Sequence, residues 1–273
     1  QRRVEAFKYT DLAGVAGTVF GEPLTSVDDA PELPEPVHPR AVFVDGRFRP
    51  DLSTLGDLPF AVRSLAEALP QLEGRIGALA RPEDAALVAL NTMLFEDGLV
   101  VDVPAGVAGG TIELLSLAAA SERAPAFHPR HLVRLGEGAT LTLIETAQGP
   151  LNARYLHNPV FEIEVAQGAR LSHGRVQQEG LEAYFLSTVR AHVGAGATYD
   201  NFTLNAGGKL ARNEIHVALV GPEAQAHMNG AQLAGDGQHM DTTTSLDHAA
   251  PNCASRQTYK TVLAGRSRGV FQG

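Results

Sequence analysis

His227, His239 and His248 lie close together in the chain, interleaved with Asp236, Asp241 and Asp247. Imidazole and carboxylate are common ligands for divalent transition metals, so this stretch is a candidate for a transient metal-binding face. No pair has a tight ligand spacing such as His-Glu-x-x-His. The plainer reading is therefore solvent-facing or turn positions, or hydrogen bonds to backbone. Cys253 is the only cysteine. It is a candidate thiolate ligand or sulfur acceptor, but a cluster normally needs several thiolates. His239, His248 and Cys253 stand as weak metal candidates. No catalytic residue and no cofactor-binding residue is assigned.

Gly106-Val-Ala-Gly109-Gly110 and Gly207-Gly208 look superficially like phosphate loops. Neither ends in Gly-Lys-Ser/Thr, and corner turns account for them. No Ser-His-Asp or Cys-His arrangement can be argued from spacing alone. The isolated chain is thus expected to carry no cofactor and to hydrolyse no nucleotide. The formal charge of −9, with Lys only at positions 8, 209 and 260, gives no pull toward nucleic acid or anionic membrane. A lone cysteine rules out an internal disulfide and fits a reducing compartment. No apolar run approaches 18 residues. A cytoplasmic location is the expectation. The chain opens on Gln1, from which earlier residues are expected to be missing.

The elements that would position these groups change character near residue 98. Before it, residues 1–27 are mixed, with room for a helix or a short strand. Pro31, Pro34, Pro36 and Pro39 mark 28–40 as an extended linker. Ala41–Val44, Asp45-Gly46 and Arg47–Phe48 predict a hairpin. Val62, Leu65, Ala66 and Leu69 predict a helix. A second helix is predicted to open on Pro82-Glu83-Asp84, to carry Ala86, Leu87, Leu90 and Leu94 on one face, and to end at Gly98.

After Gly98, short β-rich runs alternate with glycine turns, and they repeat. Val133-Arg-Leu-Gly-Glu-Gly-Ala-Thr-Leu is echoed from Ile163, from Ala191 and from Val217. The shared alanines are Ala139, Ala169, Ala197 and Ala224, at spacings of 30, 28 and 27. A fifth echo is read over Thr261–Phe271. A strand–turn–strand unit of this length cannot bury its inward side chains alone and stacks on its neighbours. The chain is predicted to be mainly β: a parallel β-helix over 98–273 behind a small N-terminal α/β segment, 1–97. The four alanines should occupy equivalent corners of successive coils. An antiparallel sandwich also has short strands and glycine turns, but it needs no in-phase repeat.

Several segments, taken in order, resemble the SufB/SufD family of iron–sulfur cluster assembly proteins, and its SufD branch in particular. They are Arg3-Val-Glu-Ala-Phe-Lys-Tyr-Thr10, Leu90-Asn91-Thr92 with Asp97-Gly98, and Arg212-Asn213-Glu214-Ile215. Further matches are Gln238-His239-Met240-Asp241, Asp247-His248, Ser255–Lys260 and Arg268–Gly273. Phe7 stands where the family pattern has Trp. The resemblance implies a right-handed parallel β-helix and a non-enzymatic scaffold subunit pairing with SufB and with the ATPase SufC. Family members continue past the Gly-Val-Phe-x-Gly segment. Their functional histidine lies in that continuation, so no residue here is matched to it. A homodimer of this chain through the last coil, Tyr259–Leu263 and Arg268–Gln272, is a further expectation, since an uncovered strand edge templates pairing. The rival function is a β-helical polysaccharide lyase or hydrolase, which would need paired carboxylates or calcium in a groove.

Overall fold

In the computed structural model, which describes residues 7–23, 33, 35–119 and 123–273, side chains two apart in each β run turn inward and stack on those of the next run. Two sheets result. One orders Arg47–Phe48, Arg40–Val44, Ala108–Leu117, Thr140–Gln148, Arg170–Gln178, Thr198–Asn205, Gln225–Ala234 and Ala254–Leu263. The other orders Ala61–Ser64, Leu99–Val103, Arg130–Leu135, Val160–Val165, Tyr184–Val193, Leu210–Leu219, His239–Asp247 and Arg268–Gln272. From Leu99 the chain alternates between them and every stacked pair is parallel. This is a parallel β-helix of about six turns, as the repeat predicts.

The four repeat alanines sit at equivalent corners, where the second sheet hands over to the first. Each is at most 1% exposed. Ala139, Ala169 and Ala197 donate their amides to the carbonyls of Gly136, Ala166 and Gly194. The residues that follow, Thr140, Arg170, Thr198 and Gln225, are rung partners, and the next rung is Ala254. Cys253 therefore holds the fifth place in the alanine ladder. The predicted fifth echo, Thr261–Phe271, lies at the opposite kind of corner, from the first sheet to the second. Both corners use glycine turns, so sequence similarity alone assigns it to the wrong one.

The hairpin forms as predicted. Asp45 (φ 47°) and Gly46 (φ 79°) make its turn, a left-handed pair that matches strand twist. Arg40–Val44 then joins the stack through Glu113–Leu117. The first predicted helix is corrected. Ala61–Ser64 is a strand, antiparallel to Leu99–Asp102, and helix is confined to Leu65–Ala68 with a 3-10 turn over Leu69–Gln71. An available sheet edge outweighs a helical spacing that four residues cannot distinguish from a strand. The second helix runs Ala86–Leu94. Pro82–Asp84 is a separate turn, because Ala85 is extended (φ −155°, ψ 131°). That helix buries Leu87, Val88 and Asn91, leaves Leu94 exposed, and stops before Gly98. A short helix covers Ala13–Ala16. Of the predicted linker 28–40, residues 28–32 and 34 lie outside the described residues, as does Arg3–Ala6; the rest carries no helix and runs into the strand that opens at Arg40. Among the described residues no helix is long and apolar enough to cross a membrane.

Candidate functional site

Two polar clusters organise the molecule, one inside the β-helix and one on the outer face of its second sheet. The inner cluster follows from strand phase. In Thr140–Gln148, residues 141, 143, 145 and 147 face inward, so Glu145 is buried with Leu141 and Leu143. Arg175, on the next coil, donates from Nε to Glu145 (2.6 Å), and from Nη1 to Ser187 (2.6 Å) and Asn213 (3.1 Å). His173 lies 3.3 Å from Glu145 and 3.1 Å from the Tyr199 hydroxyl. Asn213 donates to Asn205 at 2.8 Å. Burial alone would raise the Glu145 pKa, but the Arg175 charge and His173 outweigh it and hold it at about 2. Burial drives His131 down to about 3. Its neutral Nδ1 accepts from the Leu99 amide at 3.0 Å, and its ring stacks on Phe161.

The outer cluster fastens the N-terminal segment to the second sheet. Asn91 donates to three carbonyls of adjacent coils, His128, Pro129 and Asn158, at 2.9–3.0 Å, and accepts from Arg130. Arg130 pairs with Glu162 at 2.7 Å, both buried. Glu162 also accepts the amides of Gly77, Leu79 and Ala80. Two coils further on, past Tyr184–Val193, Asp241 takes hydrogen bonds from Arg212 and Thr10, Arg212 also pairs with Glu214 at 2.8 Å, and its guanidinium lies 5.3 Å from the Phe7 ring centre. Asp97 accepts from Ser64, Ala66, Gly98 and Phe48. Gly98 is required there, because a Cβ would fall 1.7 Å from the Arg130 carbonyl oxygen. Four of the segments that carry the family resemblance, those holding Thr10, Asn91 with Asp97, Arg212 and Asp241, thus meet on one fastening surface.

The weak metal candidates are not brought together. His239 opens its strand, within 3.4 Å of Thr10, and burial lowers its pKa. His248 lies past the end of that same nine-residue strand, on the order of 30 Å away at strand rise, bonded to Ser255 at 3.0 Å. Cys253 is half-buried, its thiol 3.3 Å from the Gly221 carbonyl oxygen. His227 pairs with Asp200 and Asp236 with Arg266. Among the described residues no group of three or more His, Cys, Asp or Glu is placed to hold a metal ion. Gly106, Gly207 and Gly208 lie at corners, whereas Gly109-Gly110 sits at a strand bulge rather than a corner.

Sequence reasoning missed the inner cluster, although its signal was present: Glu145, His173 and Arg175 share the inward phase of their apolar neighbours. Chemically, both clusters are closed. Their carboxylates are engaged by arginine or backbone amides and almost fully shielded, which suits holding a shape.

Two family models account for most of the chain. The N-terminal region model of SufBD proteins matches 1–112, and the SufBD core domain model of the SUF system for iron–sulfur cluster assembly matches 117–273. The chain is 29% identical to the iron–sulfur cluster assembly protein SufD of Escherichia coli, over all of this chain and 64% of that protein. It is 26% identical to a SufBD family protein of Synechocystis, again over all of this chain and 64% of the relative. It is 28% identical to SufB of Bacillus subtilis, over 70% of this chain and 41% of SufB. The chain therefore spans under two thirds of the length of these relatives.

Proposed function

The chain belongs to the SufB/SufD family of iron–sulfur cluster assembly proteins, and from that premise we propose that it is a SufD-type scaffold subunit. It pairs with SufB and with the ATPase SufC in the cytoplasm, has no catalytic activity of its own, and handles the cluster as cargo without a resident cofactor. The observation that carries this reading is the match of the whole of this chain to 64% of a SufD protein, combined with the shielding of both polar clusters. A β-helix of continuous parallel ladders is a rigid rod on which partner subunits can be arrayed. The single half-buried thiol of Cys253 falls short of a cluster's ligand set.

Co-expression with SufB and SufC of the same organism tests the proposal. The expected result is a stable ternary complex that gains cluster only when all three subunits are present. Failure of the full chain to join SufB and SufC would overturn it. Stoichiometric cluster absorbance in the chain alone, lost in Cys253→Ala, would overturn the cargo assignment. Pairing of two copies through Arg268–Gln272 is the competing association. Light scattering separates it, because charged substitutions at Val270 and Phe271 should then reduce the mass in solution.

A further inference from the structure

Three of the large arginines, Arg130, Arg175 and Arg212, are buried, and each has a carboxylate partner. Arg190 differs. It is half-buried on the outer face of Tyr184–Val193, and its Nε is sealed from solvent with no hydrogen-bond partner. No hydrogen bond or ion pair satisfies it among the described residues. Burial pulls its pKa below the ordinary value, against the fields of Asp84 and Glu214. Only its Nε is sealed, so the guanidinium is a half-buried cation that holds no carboxylate by a hydrogen bond and leaves its other nitrogens open to a ligand.

Its neighbours on the sheet extend the pattern. His216 is the rung partner of Arg190, and Ser245 is the rung partner of His216. The His216 Nε2 is also sealed without a hydrogen bond, and the Glu214 carboxylate lies 3.9 Å away, too far to supply one. Glu214 is itself bonded to Arg212 at 2.8 Å. Two residues further along, His192, Ala218 and Asp247 form the adjacent row. The small Ala218 leaves room there. Together these residues and Leu79 line a pocket of about 260 Å³.

We propose that this pocket binds a compact oxyanion of the phosphate class, held by the Arg190 guanidinium, the His216 ring and the Ser245 hydroxyl, with His192 at the mouth. A metal ion is the wrong ligand, because Arg190 would face it. A planar carboxylate would engage the guanidinium fork alone, whereas donors on three neighbouring strands suit an ion with acceptors in several directions. The pocket is small for a whole nucleotide, so the ligand is free phosphate or a terminal phosphoryl group. Asp247, exposed at the rim, opposes the anion. This inference stands apart from the scaffold reading and does not depend on it.

Titration of the full chain with inorganic phosphate, read by calorimetry and by the NMR shift of the Arg190 Nε–H, tests it. Saturable one-site binding is expected. Arg190→Gln should weaken it by about tenfold or more, the scale of one lost charge-assisted contact. Asp247→Asn should strengthen it, a change of opposite sign that a folding defect would not produce. In the absence of phosphate Arg190→Gln should unfold no earlier than the parent, because it removes an unpaired charge. Acetate should bind more weakly than phosphate. Phosphate affinity unchanged in Arg190→Gln, no saturable binding, or acetate binding tighter than phosphate would overturn the assignment.

Discussion

Between the two sheets, the half of the interior beside the alanine corners is walled by Val133, Leu141, Leu143, Ile163, Val165 and Leu171. The half beside the opposite corners holds Glu145, Arg175, Ser187, Asn205 and Asn213, equally shielded. Both halves are layered by the same ladder, yet they are held differently. In the apolar half each side chain contributes about 1.5–3 kcal/mol through burial alone, and neighbours of similar volume are interchangeable. In the polar half each group depends on a particular partner, since an unpaired buried charge costs more than the pair contributes. The apolar half gives cohesion. The polar half fixes register, because a slip by one residue would turn Glu145 outward and strand Arg175.

The largest test of this contrast is Glu145→Ala, which leaves the Arg175 guanidinium buried without its carboxylate. It should lower unfolding free energy by about 3–5 kcal/mol in urea titration. Replacing both partners together, Glu145→Leu with Arg175→Met, should recover most of that loss. A double variant as unstable as the single one would mean that the halves do not differ in kind. Next comes overpacking of the apolar half. Ala197 is fully buried at its corner, and Ala197→Leu should cost about 1–3 kcal/mol by the same measurement.

Acidity sharpens the comparison through the fully buried groups of the interior. Glu145, at about 2, and His131, at about 3, both sit below their ordinary values of 4.5 and 6.5. Each therefore contributes stability that is complete above the ordinary value and is lost as pH falls toward the folded one. Between pH 6.5 and 4.5 the His131 contribution should fall by about 1.4 kcal/mol per pH unit. His131→Gln, which keeps an acceptor for the Leu99 amide, should flatten that slope. An unchanged slope would assign it to other groups. The smallest effect is expected at Cys253→Ala, which only extends the alanine ladder. It should stay within about 0.5 kcal/mol. A larger loss would mean that the packing of Cys253 against the core needs its sulfur.

Much of the coil architecture is legible in the sequence, because the corner alanine, three residues after Gly136, Gly194 and Gly221 and after Ala166, returns at nearly constant spacing, as stacked coils require. What escapes is whatever depends on contacts between coils. Val62 reads as helical since its pairing with Val101 lies 39 residues away. Arg130, Asn91 and Glu162 look like ordinary surface polar residues until the N-terminal segment is laid over them. The fastening surface was traceable only as an ordered set of family-like segments, with no indication of what they hold. His239, His248 and Cys253 are neighbours in the chain, but a strand carries its two ends far apart.

The ladder also bears on how such a molecule comes into being. Apart from Arg40–Val44, which waits for Glu113–Leu117, each strand after Leu99 finds its earlier partner one coil back, about 26–32 residues upstream. Adding a coil therefore does not lengthen the typical loop that must close, and folding rate is governed by that separation more than by total length. At roughly 5–20 residues per second of synthesis, a new coil emerges every few seconds onto one already formed. The nascent chain can act as its own template, growing from its first coil in the direction of translation.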